Sequence, residues 1–148
     1  GRNVIFAQFM KGNPTGETIP LVAMEGVSVL RGDKDFGFYA QMSEEDKRKL
    51  KEIHDRILDD ILFRIRTEDI FMVVLDELTH ALRYGLVDRN RLDELISMTR
   101  GERAVCELVI TGREPSEELL AAADYISEIK ALRHPYEAGI AAREGIEY

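Results

Sequence analysis

Disulfides within this chain are excluded, because Cys106 is the only cysteine among its 148 residues. A lone thiol fits a reducing compartment. No run of 18 or more apolar residues occurs, so no segment reads as a spanning helix. The start, "GRNVIFAQFM", has neither the basic nor the apolar part of a secretory leader. Together these absences predict a cytoplasmic protein without membrane contact. Basic charge is also scarce. Lys and Arg number 20 against 28 Asp and Glu, a net charge of -8. Sequence-independent nucleic-acid binding needs the opposite balance, so no nucleic-acid partner is expected. HExxH and any Ser/His or Cys/His pairing are missing, and so is a GxxxxGK[ST] phosphate loop. "MKGNPTGET" has glycines and a lysine in the wrong order for that loop.

The residues that are present read as one domain spanning 1–148, since 45% of them are hydrophobic and can form a full core. Residues 4–10 are β-branched, aromatic and apolar, which predicts a strand buried on both faces. A Gly/Pro loop follows, then a second strand over 27–32. An irregular stretch, "DKDFGFYAQ", leads into a long helix. Ser43 and Asp46 form its capping signal, and Leu50, Ile53, Ile57, Ile61 and Ile65 form its buried stripe. "FMVVLDE" is a third strand and "ELTHALRYG" a short helix ending at Gly85. "DRNRLDELISM" is a helix capped by Asp88. "CELVITG" is a fourth strand with Cys106 in the core, and "PSEELLAAAD" is a helix. "YISEIKAL" alternates as a fifth strand would. Strands alternating with helices predict a three-layer α/β fold with a mostly parallel sheet.

Ligands in such sheets sit at the carboxyl ends of the strands. Three chemically useful groups fall there: Gln8 to Lys11, Asp76 with Glu77, and Thr111-Gly112-Arg113. Four apolar residues followed by Asp-Glu form the pattern of a Walker B strand. Its carboxylates suit a magnesium ion on a nucleotide triphosphate, and they equally suit the cap of a following helix. A glycine lets backbone approach a ligand and an arginine suits phosphate; a turn with a surface arginine has the same sequence. His80 reads as a metal-binding residue or as a helix-surface one, and His134 as structural.

Three stretches, "VIFAQFMKG", "VVLDELTHALRYGLVD" and "LVITGREPSEELLAAADYISEIKALRHPYEAGIAAREGIEY", closely resemble the P-loop type of ATP:corrinoid (cob(I)alamin) adenosyltransferase. The resemblance runs from Val4 to Tyr148 and is most specific in the tail. It implies a RecA-like P-loop fold, ATP as co-substrate, a reduced corrinoid as substrate and magnesium. It also implies a dimer and a flavoprotein as reductant. By that resemblance Glu77 is the magnesium ligand, with Asp76 its Walker B neighbour. Gln8, Lys11, Gly12, Thr111, Gly112 and Arg113 line the nucleotide site. Phe36, Phe38 and Tyr39 fall in the corrinoid-contacting segment; Phe38 matches the family's Phe, while Ala40 or Tyr39 stands where the family has a Trp.

The family's first strand and phosphate loop precede "VIFAQF" and have no counterpart in these residues. Three expectations stand side by side: a fragment of an enzyme, a non-catalytic corrinoid-binding or assembly homologue, or a gap filled by a partner's strand. Loss of an internal strand would strip backbone partners from its neighbours, at roughly 1–3 kcal/mol for each buried group. This predicts a gap in the sheet and an oligomer that covers it.

Overall fold

The computed structural model describes residues 1–13, 16–141 and 143. Part of the loop after the first strand and the end of the "HPYEAGIAAREGIEY" tail lie outside the described residues. The order is β1 (Asn3–Gln8), α1 (Thr18–Ala23), β2 (Val27–Arg31), α2 (Glu44–Thr67), β3 (Ile70–Asp76), α3 (Leu78–Arg83), α4 (Arg89–Met98), β4 (Glu107–Ile110) and α5 (Glu117–Ala122). Short 3-10 turns occupy Tyr39–Gln41 and Pro135–Ala138. The four strands form one sheet in the order β2-β1-β3-β4, and every pairing is parallel. This is the α/β plan with a parallel sheet that the alternation predicts, and it is consistent with the P-loop-like fold that the resemblance implies.

Both expected helix caps form. Asp46 N donates to Ser43 Oγ at 3.1 Å and Asn90 N donates to Asp88 Oδ1 at 2.9 Å. Each satisfies a donor that the first helical turn leaves without a partner. Ile5 pairs with Val73 and Ala7 with Leu75, and all four are fully buried. On the same face Ser28 receives a hydrogen bond from Arg64 of α2 at 3.0 Å, so α2 covers this side. Its Leu58, Ile61 and Leu62 join the core. The chain steps from β1 to β2 in one direction and from β2 to β3 in the other. Right-handed crossovers therefore set α1 on the face opposite α2.

Three expectations are corrected here, and one helix is added. β1 is not buried on both faces: Val4 and Phe6, with Met72 and Val74 beside them, are only half-buried, because α1 is short and keeps Ile19 and Val22 in solvent. That helix was not foreseen in "TIPLVA", whose Pro20 and β-branched residues argue against one. "YISEIKAL" forms no strand. Its alternation meets no neighbouring edge, and Tyr125, Ile129 and Leu132 are exposed. The sheet has no internal gap among the described residues, since β3 pairs directly with β4 from Met72↔Glu107 to Leu75↔Ile110. The argument from stranded backbone groups therefore falls away. Among the described residues, no helix is long and apolar enough to cross a membrane.

One buried polar residue ties three elements together. His54 of α2 is 2% exposed. Its Nε2 accepts from Met10 N at 3.2 Å, and its Nδ1 lies 3.0 Å from the carbonyl of Leu86. A ring that accepts at Nε2 and donates at Nδ1 is the neutral tautomer. Burial lowers its pKa from the ordinary 6.5 to about 4. Protonation would cost Met10 N its acceptor and place a charge in the core. The unfolded chain takes up this proton near pH 6.5 and the folded chain only near 4, so stability is full above 6.5 and declines as pH falls between the two values. Unfolding in urea should show about 2 kcal/mol less stability at pH 5 than at pH 7 from this group. His54→Leu, although less stable throughout, should remove that part of the pH dependence; an unaltered slope would clear His54 of the effect.

Candidate active site at the carboxyl edge of the sheet

The register that buries Ile5 against Val73 also brings Gln8 level with Asp76. Beyond the last paired residues, Phe9 N donates to the carbonyl of Asp76 and Thr111 N to that of Leu75, each at 3.0 Å. The ends of β1, β3 and β4 are therefore flush, and three of the groups named from sequence meet there.

Asp76 is the hub. Thr111 Oγ1 donates to its Oδ1 at 2.9 Å, and Gln8 Nε2 donates to its Oδ2 at 3.3 Å. Lys11 Nζ stands 3.6 Å from the same Oδ2. Gln8, 1% exposed, also donates to Glu17 Oε1 at 3.0 Å, and Lys11 lies 3.4 Å from that oxygen. Glu17 thus joins the site, although the sequence reading passed over it as part of a loop. Its signal was slight: an acid just ahead of a helix is usually only a cap.

Glu77 differs from its neighbour. Its φ of 58° is left-handed, and its carboxylate has different partners from that of Asp76. Its backbone N–H donates to Thr111 Oγ1 at 3.1 Å, and that hydroxyl therefore serves both carboxylate residues. His80 Nδ1 comes within 3.0 Å of Glu77 Oε2. The contact does not have hydrogen-bond geometry, and this buried oxygen has no hydrogen bond. The adjacent acids are thus answered separately, Asp76 by Lys11 and Glu77 by His80 when it is protonated.

The other predicted residues frame this hub. Gly112 has φ 139°, and a Cβ there would fall 2.0 Å from Thr79 Oγ1. That same hydroxyl donates to the carbonyl of Arg113 at 2.8 Å, so the "TGR" turn is packed onto α3 through a residue the sequence did not single out. The Arg113 side chain is exposed. A Cβ on Gly12 would fall 2.0 Å from the carbonyl of Lys34, which ties the loop after β1 to the start of the aromatic segment. In that segment Phe36 is half-buried beneath Lys34, at 4.5 Å, and Phe38 is 80% exposed. Tyr39 stacks on Tyr84 with centroids 4.0 Å apart. No hydrogen bond or ion pair joins these aromatic side chains to Asp76 or Glu77 among the described residues. A groove of about 600 Å³ opens on the other side of Thr79, toward Arg83 and Ser116 rather than over Asp76.

The chain was compared with known proteins. A family model described as ATP:corrinoid adenosyltransferase BtuR/CobO/CobP matches residues 1–148. The corrinoid adenosyltransferase CobA of Salmonella typhimurium is 34% identical over all of this chain and 72% of its own length. A corrinoid adenosyltransferase of Escherichia coli K12 is 31% identical with the same coverage. A corrinoid adenosyltransferase of Sinorhizobium is 36% identical over 57% of this chain, a stretch that spans 38% of that protein.

The packing of the "TGR" turn gives a direct test. Gly112→Ala should cost about 2–4 kcal/mol, from a left-handed φ and overlap with Thr79. Adding Thr79→Ala should recover part of that loss in urea unfolding, because the overlapping hydroxyl is gone. A double variant no more stable than Gly112→Ala alone would remove the overlap as the cause.

Proposed function

We propose, from the premise that this chain belongs to the ATP:corrinoid adenosyltransferase family, that its sheet edge serves ATP-dependent adenosylation of a reduced corrinoid. In that reaction Co(I) attacks the 5′ carbon of the ATP ribose. A cobalt–carbon bond forms, the 5′ carbon–oxygen bond breaks, and its electron pair leaves with triphosphate. The observation that carries the reading is the convergence of Gln8, Lys11 and Thr111 on Asp76. It sets one cation and two neutral polar groups around a carboxylate at the edge where parallel sheets bind ligands.

Lys11 would exchange Asp76 and Glu17 for phosphate oxygens, as a flexible ammonium can. Exposed Arg113, whose backbone is pinned to Thr79, would take the same charge in a bidentate manner. Gly12 and Gly112, packed closely on Lys34 and Thr79, would line the nucleotide site, and Thr111 joins the Asp76 carboxylate to the Glu77 backbone N–H. Magnesium fits this set. Among the described residues no three His, Cys, Asp or Glu side chains gather as a metal cage, and magnesium on a nucleotide asks for only one or two carboxylates. Glu77, with a buried oxygen that lacks a hydrogen bond, would hold it, and Asp76 would sit beside it. Bound there, the ion would neutralise charge on the triphosphate. Phe36, Phe38 and Tyr39 would meet the corrinoid. A flavoprotein would supply the reducing electrons, and the unpaired, buried Cys106 fits a cytoplasmic location. We further propose that the working unit is a homodimer.

The test mixes the chain with ATP, magnesium and chemically reduced cobalamin and follows the visible spectrum. The expected outcome is conversion to the alkylcobalamin spectrum. Glu77→Ala should cut the rate at limiting magnesium by at least roughly tenfold. Activity without change would take Glu77 out of the site. Clear cobalamin binding without any conversion would instead favour a binding or assembly protein.

A further inference from the structure

We infer that Tyr84 is a positioning residue for the corrinoid-facing aromatic segment, a role deepening the function proposed above and resting on it. The argument starts from α3. Glu77 stands at its N-terminal end and Tyr84 at its C-terminal end, with Gly85 reversing the chain at φ 66°. At 1.5 Å of rise per residue, the two ends of this helix are about 10 Å apart. Tyr84 is therefore held at a fixed offset from the carboxylate.

The Tyr84 ring lies nearly parallel to that of Tyr39, with an interplanar angle of 10° and centroids 4.0 Å apart. Lys47 Nζ sits 4.9 Å from the Tyr39 ring centroid, so Tyr39 is held by a stacked ring and by an ammonium from the first turns of α2. Tyr39 also begins the 3-10 turn whose Gln41 N donates to the carbonyl of Phe38 at 2.8 Å. Fixing Tyr39 thus fixes the backbone that presents Phe38, whose ring is 80% exposed. A flat macrocycle is a suitable stacking partner for such an exposed phenyl ring. Without the stack this segment has less to hold it. It is joined to the β1 loop by Gly12 packing on Lys34 and by Asn13 donating to Asp35, and neither contact reaches the turn itself.

The test is equilibrium dialysis of aquacobalamin against the full chain and three variants, with far-UV circular dichroism to check folding. Tyr84→Leu should weaken binding roughly two- to tenfold, the scale of one aromatic pair. Tyr84→Phe, which keeps the ring, should bind within twofold of the unaltered chain. Tyr84→Gln carries the same expectation as Tyr84→Leu and replaces it should that variant not fold. Wild-type affinity in Tyr84→Leu overturns the inference, and so does an equal loss in Tyr84→Phe. Failure of the unaltered chain to bind aquacobalamin overturns the corrinoid reading itself, and the role of Tyr84 falls with it.

Discussion

The carboxyl edge depends on one constraint, the register of β1 against β3. Pairing Ile5 with Val73 and Ala7 with Leu75 buries four apolar side chains on the face that α2 covers. Side chains alternate with a period of two, so a slip of one residue would turn that set out and bring Val4, Phe6, Met72 and Val74 in. It would also part Gln8 from Asp76. The hydrophobic term that chooses the register thereby aligns the polar residues at the strand ends. No polar contact at the site needs to be strong enough to do this itself. Hydrogen bonds of this kind contribute about 1 kcal/mol net, while burying each large apolar side chain contributes about 1.5–3 kcal/mol.

The same edge is where backbone strain collects. Met10, Glu77 and Glu114 are the non-glycine residues with positive φ among the described residues, and each lies just beyond a strand of this edge. Such conformations cost on the order of 1–3 kcal/mol and persist only where surrounding structure holds them. Each has its brace. Met10 N is held by His54, Glu77 N by the Thr111 hydroxyl, and the Glu114 carboxylate by Arg83. The braces come from α2, from the end of β4 and from α3, so the exits of three strands are fixed by elements packed on the sheet. This gives His54 and Thr111 a reason to be where they are without assigning either a chemical step.

Much of this was legible in the sequence, and the rest was hidden for identifiable reasons. Four strands, the long helix and both caps could be read because their signals are local: period, branched side chains, and Ser43 and Asp88 ahead of helical runs. Asp76, Thr111 and Gln8 could be named together because strand ends of a parallel sheet share an edge. "YISEIKAL" misled because alternation says a strand could form but not that an edge is free to receive it. α1 was missed because Pro20, Thr18 and Val22 disfavour a helix locally and only its place between two parallel strands asks for one. Glu17 and Tyr84 escaped because their contacts leave no periodic mark: Glu17 joins through the Gln8 amide, which itself bridges 68 residues to Asp76, and Tyr84 meets Tyr39 across 45 residues.

The contrast between Asp76 and Glu77 is the clearest case of structure adding what sequence could not. Written in a row, the two acids look like a matched pair facing one ion. In the fold, the backbone is left-handed at Glu77, and the surroundings of the two carboxylates differ. Both oxygens of Asp76 already receive hydrogen bonds from Thr111 and Gln8. One buried oxygen of Glu77 receives none. A carboxylate whose lone pairs are largely committed organises its neighbours, whereas one whose buried oxygen has only the His80 contact at 3.0 Å and no hydrogen bond keeps a lone pair for a new partner. The two acids therefore have different parts. Asp76 holds the edge together, and Glu77, carried on the helix that also carries Tyr84, has the oxygen left to offer a cation.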